Sequence, residues 1–442
     1  MPADNAESVE ISTQSLPIRH RVTAVVICVA AVMVVLVSGR VHAAEPLTLD
    51  EAVTTALKNH PQVVEAKANL QGAEARTGQA YANYYPQINF AADWSKGEVF
   101  FPAQERIMKS EVNTDALYFK QTIYDFGRTA GAVEAARGNR TAAAESLAIT
   151  RQDISYRVRS AFYLLLAAEK QVAAVKETVE AKEAVFRQAQ EFYNQGIRAK
   201  VDVARAEANL YAAKTTLIRS ENNRDIAKVE LANALGIPSL DNRPLVEPLS
   251  MTVTVPERLQ VQKDAIANRP ELKRLAALES SAAASLKTAN SGYLPILSGT
   301  ASAGYSDKEF PPGGKVWVVG LNLTVPLFSG FSTVEQVKEA VALKSAVGAQ
   351  QNNQRLQIVK EVESAWLGIG ESRARMISTE KEVAATEENR ALAEGRYQEG
   401  VGSIIEVTDA QSQALDAKTA QIQAVYDYHT SLARLDRAVG KE

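Results

Sequence analysis

The stretch "YNQGIRAKVDVARAEANLYAAK", residues 193–214, returns 204 residues later as "YQEGVGSIIEVTDAQSQALDAK", residues 397–418. Six positions are identical and several others exchange like for like. Each copy reads as the end of one helix, a tight turn and the start of the next. Gly196 and Gly400 suit a helix C-cap, and Asp202 and Glu406 suit the first turn of a following helix.

Moving outward, the duplication covers most of the chain. "NHP" at 59–61 pairs with "NRP" at 268–270, and "YYP" at 84–86 with "YLP" at 293–295, both at an offset of 209. From Tyr124 and Phe328 onward the offset is 204, and it holds to "ALG" at 234–236 and "AVG" at 438–440. The five lost residues fall between Pro86 and Tyr124, which predicts a longer loop there in the first copy. The chain therefore divides into a first repeat over 44–237, a linker over 238–256 that is rich in Pro and polar residues, and a second repeat over 257–442.

Proline placement sets the layout of each repeat. None occurs between Pro102 and Pro238 or after Pro326, and proline costs a helix interior about 3 kcal/mol. These stretches are rich in Ala, Glu, Gln, Lys and Leu. Positions 165, 168, 172, 175, 179, 182, 186, 189 and 193 form a coiled-coil seam broken only by Lys182. The pattern predicts long helices over about 128–195 and 332–399, each about 100 Å at 1.5 Å per residue. Return helices follow over about 202–235 and 404–439.

Ahead of each long helix the period falls to two. Ile88, Phe90, Ala92 and Trp94 alternate with Gln87, Asn89, Ala91 and Asp93. Trp317, Val319, Leu321, Leu323, Val325 and Leu327 alternate with Val318, Gly320, Asn322 and Thr324. Leu117, Phe119 and Ile123 give a weaker case, and Leu297 to Tyr305 is mostly small residues. Strands are expected over about 86–95, 115–125, 295–305 and 316–327, the length that crosses a membrane at a tilt. Tyr84, Tyr85, Trp94, Tyr118, Tyr124, Tyr293, Tyr305 and Trp317 lie near the expected strand ends, like the aromatic girdles of outer-membrane barrels. A soluble hairpin with one buried face is the other reading of the strands alone.

Composition narrows the function classes. The chain has 442 residues, a net charge of −3, four histidines and one cysteine. It has no basic surface for nucleic acid and little material for metal or thiol chemistry. Arg19-His20-Arg21, the apolar run Val22 to Val37, and Val41 and Ala43 at the −3 and −1 places define a secretory signal over 1–43; an uncleaved anchor is the alternative. Ile27 before Cys28 argues against a lipid anchor. Cleavage after Ala43 leaves no cysteine and only His60 and His429. "GVG" at 400–402 and "GIG" at 368–370 lack the strand–helix setting of a nucleotide site. No catalytic residue, cofactor or metal site is expected.

Four strands per chain cannot close in lipid, because open sheet edges leave backbone groups unpaired. Spanning strands would require several chains to share one barrel: two give a filled barrel of eight, three give twelve and an open lumen.

With "LTLDEAVTTALKNHP", "YYPQINF", "YLPILSG", "LFSGF" and the duplicated "YxxGxxxxxDV" turn, the chain resembles the TolC family of outer-membrane efflux proteins over residues 47–440. The resemblance implies a homotrimer in outer-membrane lipid, with a twelve-stranded barrel and a coiled-coil tube of twelve helices reaching into the periplasm. It implies an exit duct for a tripartite efflux pump or type I secretion system, working with a periplasmic adaptor (membrane fusion protein) and an inner-membrane transporter. The turns become periplasmic tips, with Gly196, Ile197, Arg198, Gly400, Val401 and Gly402 as the adaptor-docking surface.

Glu406 and Asp409 share a helix face and match the family's constriction carboxylates; the plainer reading is two acids complementing a helix dipole. Tyr397 and Asp202 match a hydrogen-bonded latch. Where the family pattern has an arginine five residues after Tyr397, this chain has Gly402; Arg198, Lys200 and Arg205 put positive charge on the other tip. A periplasmic coiled-coil scaffold or adaptor without a pore is the alternative. Such proteins usually carry one hairpin with compact β domains.

Overall fold

The computed structural model describes residues 46–240, 243–246 and 257–441. The expected cleavage point after Ala43 and the apolar run before it lie outside these residues. Among the described residues no helix is long and apolar enough to cross a membrane.

Each repeat contributes two short helices, a β-hairpin, a long helix and a return helix. The first has α1 (Leu49–Asn59), α2 (Pro61–Tyr81), β1 (Gln87–Phe101), β2 (Arg106–Tyr124), α3 (Arg128–Asn194) and α4 (Lys200–Leu235). The second has α5 (Arg258–Asn268), α6 (Pro270–Asn290), β3 (Ile296–Asp307), β4 (Lys315–Thr324), α7 (Ser332–Gln398) and α8 (Ile404–Val439). Both long helices have 67 residues and both return helices 36. Around the upper part the packing order is α2, α3, α6, α7; lower down it is α4, α3, α8, α7.

The two repeats bury equivalent side chains. Ala52, Val63, Ile154, Val158, Leu165 and Leu231 lie in one core, and Val261, Leu272, Ile358, Val362, Ile369 and Leu435 in the other. These pairs are related by the same offsets of 209 and 204. The helix junctions match as well. Pro61 and Pro270 open α2 and α6, where a missing N–H costs nothing. His60 and Arg269, each just before its proline, then meet the end of a return helix. The His60 ring hydrogen-bonds the main chain of Asn233, and Arg269 donates to the Arg437 carbonyl at 3.2 Å. Gly236 and Gly440 are both at positive φ; a Cβ at Gly236 would come within 2.9 Å of the His60 backbone, and one at Gly440 within 3.2 Å of the Asn268 backbone.

The seam on α3 runs wider than its expected line. Val175, Thr178, Lys182, Val185 and Ala189 are buried, whereas Tyr193 is exposed. A straight helix drifts from a strict 3.5 repeat, so by the tip Phe192 has turned inward in place of Tyr193.

One antiparallel sheet has the order β1-β2-β3-β4. The strands differ from the expected bounds: β1 runs on to Phe101, β2 begins at Arg106, and β4 ends at Thr324 just before Pro326. The five additional residues of the first copy therefore lengthen its strands, not its loop. Its connection spans 102–105, while that of the second spans 308–314. Beyond the Asn113↔Asp307 pair, β1 and β2 continue as a two-stranded ribbon.

Over two successive rows the register carries an apolar face across all four strands; the row beyond them, Ala92, Asp115, Tyr305 and Lys315, carries charge. Ile88 pairs with Phe119, Phe119 with Ala301, and Ala301 with Val319. Phe90, Leu117, Ala303 and Trp317 form the next row. The other face has rows such as Gln87, Lys120, Thr300 and Gly320. Tyr118 belongs to this second face, paired with Asn89 and Ser302 in mid-strand, so it is not part of an aromatic girdle. Linker residue Leu245 forms a parallel bridge with Leu47, and Arg243 donates to Glu51 at 3.0 Å, tying part of the linker to the first repeat.

Candidate functional site: the paired helical tips

Both long helices end in the same capping motif. At the first tip Ile197 N–H reaches the Phe192 carbonyl and Gly196 N–H the Tyr193 carbonyl, both at 2.9 Å. At the second, Val401 reaches Arg396 and Gly400 reaches Tyr397, at 3.1 and 3.0 Å. Gly196 and Gly400 have φ of 73° and 76°, the left-handed region where only glycine escapes a Cβ penalty. Four apolar side chains at these turns face outward: Ile197, Val201, Val401 and Ile405.

The tips pack on one another within a single chain. Tyr397 is fully buried among Val185, Ala189, Ala206, Ile404 and Val407, with its ring 5.8 Å from that of Phe192. Its hydroxyl has no hydrogen-bond partner among the described residues, so the expected bond to Asp202 is not made within the chain. Burial and then the charge of Asp202 push the Tyr397 pKa up, against the pull of Arg198.

The link that does form comes from Arg198. Its guanidinium donates to the carbonyls of Gly400 at 2.8 Å and Gly402 at 2.7 Å and lies 6.0 Å from the centre of the Tyr397 ring. Gly402 is buried, and a Cβ there would come within 2.9 Å of the Arg396 and Tyr397 backbone. An arginine cannot occupy that position in this turn; the guanidinium arrives from the other tip.

Higher up, a second cross-link joins the hairpins. Lys418 contacts Glu177 and Glu387, each at 2.8 Å, and Arg390 contacts the same two carboxylates at 3.1 and 2.6 Å. Burial alone would lower the Lys418 pKa, but its two carboxylate partners raise it.

Glu406 and Asp409 lie on the exposed face of α8. They are not equivalent. Ser403 accepts from the Glu406 N–H at 3.2 Å as an N-cap, and the Glu406 carboxylate is 3.5 Å from Arg396 Nε. Asp409 makes no ion pair with a described residue, and its stripe continues through Gln413 to Asp416, also exposed.

The outer membrane efflux protein family matches residues 52–237 and 261–441, one segment for each repeat. The chain belongs to this family. Among curated relatives, outer membrane protein TolC of Salmonella enteritidis is 24% identical over 410 residues, covering 86% of this chain and 79% of TolC. Protein CyaE of Bordetella pertussis is 25% identical over 407 residues, covering 90% of this chain and 85% of CyaE. Among solved structures, the Campylobacter jejuni CmeC outer membrane channel superposes with a TM-score of 0.80 at 19% identity, covering 89% of this chain and 85% of CmeC. The fold is that of the TolC-like channels, and this efflux protein is located in the outer membrane with its helical part in the periplasm. Members of the family are channels, not enzymes.

Two features of the efflux-protein tip go beyond the sequence expectations: the place of Asp416 in the acidic stripe and the partners of Arg198. Asp416 was available from helix periodicity, since it lies seven residues after Asp409 on one face. The Arg198 bridge was not, because it depends on how two distant turns dock.

Proposed function

We propose that this efflux protein is a homotrimeric, passive exit duct with no enzymatic activity, receiving cargo from an inner-membrane transporter through a periplasmic adaptor. The supporting observation is the sheet: apolar over the middle rows of one face of four strands, with β1 and β4 each lacking a partner on its outer side. In lipid such edges must be paired, and pairing β4 of one copy with β1 of the next in a ring of three gives twelve strands around a polar lumen.

At the other end, Ile197, Val201, Val401 and Ile405 with the turn glycines form the adaptor-docking surface. Arg198, together with Tyr397 and Asp202, holds the tip. Glu406, Asp409 and Asp416 form an acidic stripe that three copies turn into the constriction. The test is extraction of the full-length protein from outer membranes, with unheated gel mobility and single-channel recording. A heat-sensitive trimer that conducts is expected; a monomer without conductance overturns the reading.

A further inference from the structure

The helical tube has two kinds of seam, and they are not alike. Within a chain the order α4, α3, α8, α7 puts α3 against α8. In the homotrimer proposed above, on which this inference rests, the same order brings α7 of one copy against α4 of the next. The offset of 204 relates the two seams: α7 is the counterpart of α3, and α8 of α4.

Charged ties run along the seam within the chain. Near the last turn of α8, Arg437 pairs with Asp153 at 2.6 Å and Asp436 with Arg159 at 3.4 Å. Farther down, Glu177 of α3 holds Lys418 at 2.8 Å and Arg390 at 3.1 Å. At the tip, Arg198 reaches the Gly400 and Gly402 carbonyls.

The counterpart residues cannot repeat these ties between copies. Asp153 and Arg437 correspond to Gln357 and Asn233, and Arg159 and Asp436 to Glu363 and Ala232. Glu177 and Lys418 correspond to Lys381 and Lys214, two like charges, with Phe186 in place of Arg390. Glu183, the counterpart of Glu387, then sets one carboxylate against two ammonium groups. Arg198 corresponds to Gly402, which has no side chain to reach across. Like charges brought face to face weaken an interface, so the seam between copies is the looser one.

We infer that the two hairpins of a chain move as one body and that the tube widens at the seams between copies, a rigid-body motion about an interface. Single-channel currents of the full-length trimer are recorded in planar bilayers at high voltage. The cysteine variants also carry Cys28→Ser, so that only introduced cysteines react with a short bismaleimide. Lys214→Cys with Lys381→Cys should link chain to chain on a denaturing gel and abolish wide openings. Gln171→Cys with Thr419→Cys, at a hydrogen bond of 3.0 Å between α3 and α8, should link within a chain and leave the openings as before treatment. Glu183→Lys, which leaves only positive charge in the cluster between copies, should raise conductance severalfold. Openings that persist with copies bridged, openings lost when α3 is bridged to α8, or wild-type conductance in Glu183→Lys overturn the proposal. If Lys214→Cys with Lys381→Cys links no chains, the ring order is wrong and the duct reading falls with it; if it links them and the openings persist, this proposal alone falls.

Discussion

The Arg198 guanidinium donates to the Gly402 carbonyl at 2.7 Å, from the tip of the first hairpin to the tip of the second. A Cβ at Gly402 would come within 2.9 Å of the backbone, and the turn it belongs to offers Arg198 two carbonyl oxygens, those of Gly400 and Gly402. A planar fork with several donors is suited to bridging two such acceptors, which a lysine cannot do with the same geometry. Hydrogen bonds from a charged donor contribute about 1.5–3 kcal/mol each, and the half-exposed setting of Arg198 places these near the lower end.

Arg198→Ala should therefore loosen the tip without affecting the barrel. Single-channel conductance is expected to rise severalfold, with trimer yield unchanged; Arg198→Lys should fall between. Wild-type conductance in Arg198→Ala would remove this residue from the latch.

Tyr193 and Tyr397 show where the sequence is legible and where it stops. They occupy the same place in the repeat, yet Tyr193 is 43% exposed and Tyr397 fully buried. Proline spacing, alternation and the two offsets report what is common to the copies, and they account for the helices, the hairpins and the matched cores. They carry no information on how one copy docks on the other. In the folded chain α8 packs against α3 while α4 lies outside, and this asymmetry decides which tyrosine is covered, which arginine bridges and which acid is paired.

The acids of α8 should not contribute equally to ion selectivity. Glu406 faces Arg396 at 3.5 Å, which offsets part of its charge, whereas Asp409 and Asp416 have no such partner among the described residues. Three copies would bring these carboxylates within about a Debye length of 8–10 Å. Block by hexammine cobalt(III) from the periplasmic side should weaken more in Asp409→Asn than in Glu406→Gln, and most in the double change Glu406→Ala with Asp409→Ala. Equal block in all variants would reduce both residues to helix-terminal charges.

His60 makes stability depend on pH. Burial, and then the charge of Arg157, hold its pKa below the usual histidine value, against the hydrogen bond to Asn233. As pH falls below about 6.5 the unfolded chain takes up the proton first. The stabilisation is therefore complete above that pH and is lost as pH falls through the native pKa. Melting of the trimer, followed by gel mobility after stepwise heating, should drop between pH 7.5 and pH 5, and the drop should be smaller in His60→Gln. An identical drop in the variant would assign the effect to other groups.

Leu321 and Asn322 are neighbours in β4 on opposite faces of the sheet, and they test which face meets lipid. Leu321 pairs with Gly299, and its side chain and that of Ile123 cover the space above that glycine. Asn322 pairs with Ser298, which pairs in turn with Thr122, a polar row across three strands. An arginine on the lipid side near mid-membrane costs about 2–4 kcal/mol, whereas one facing water is tolerated. Leu321→Arg should thus lower the yield of heat-sensitive trimer in the outer membrane, and Asn322→Arg should assemble normally and reduce cation conductance, because it adds three positive charges to the lumen. Should Asn322→Arg be the variant that fails to assemble while Leu321→Arg is tolerated, the faces are reversed; should both assemble equally well, the sheet does not line a membrane pore.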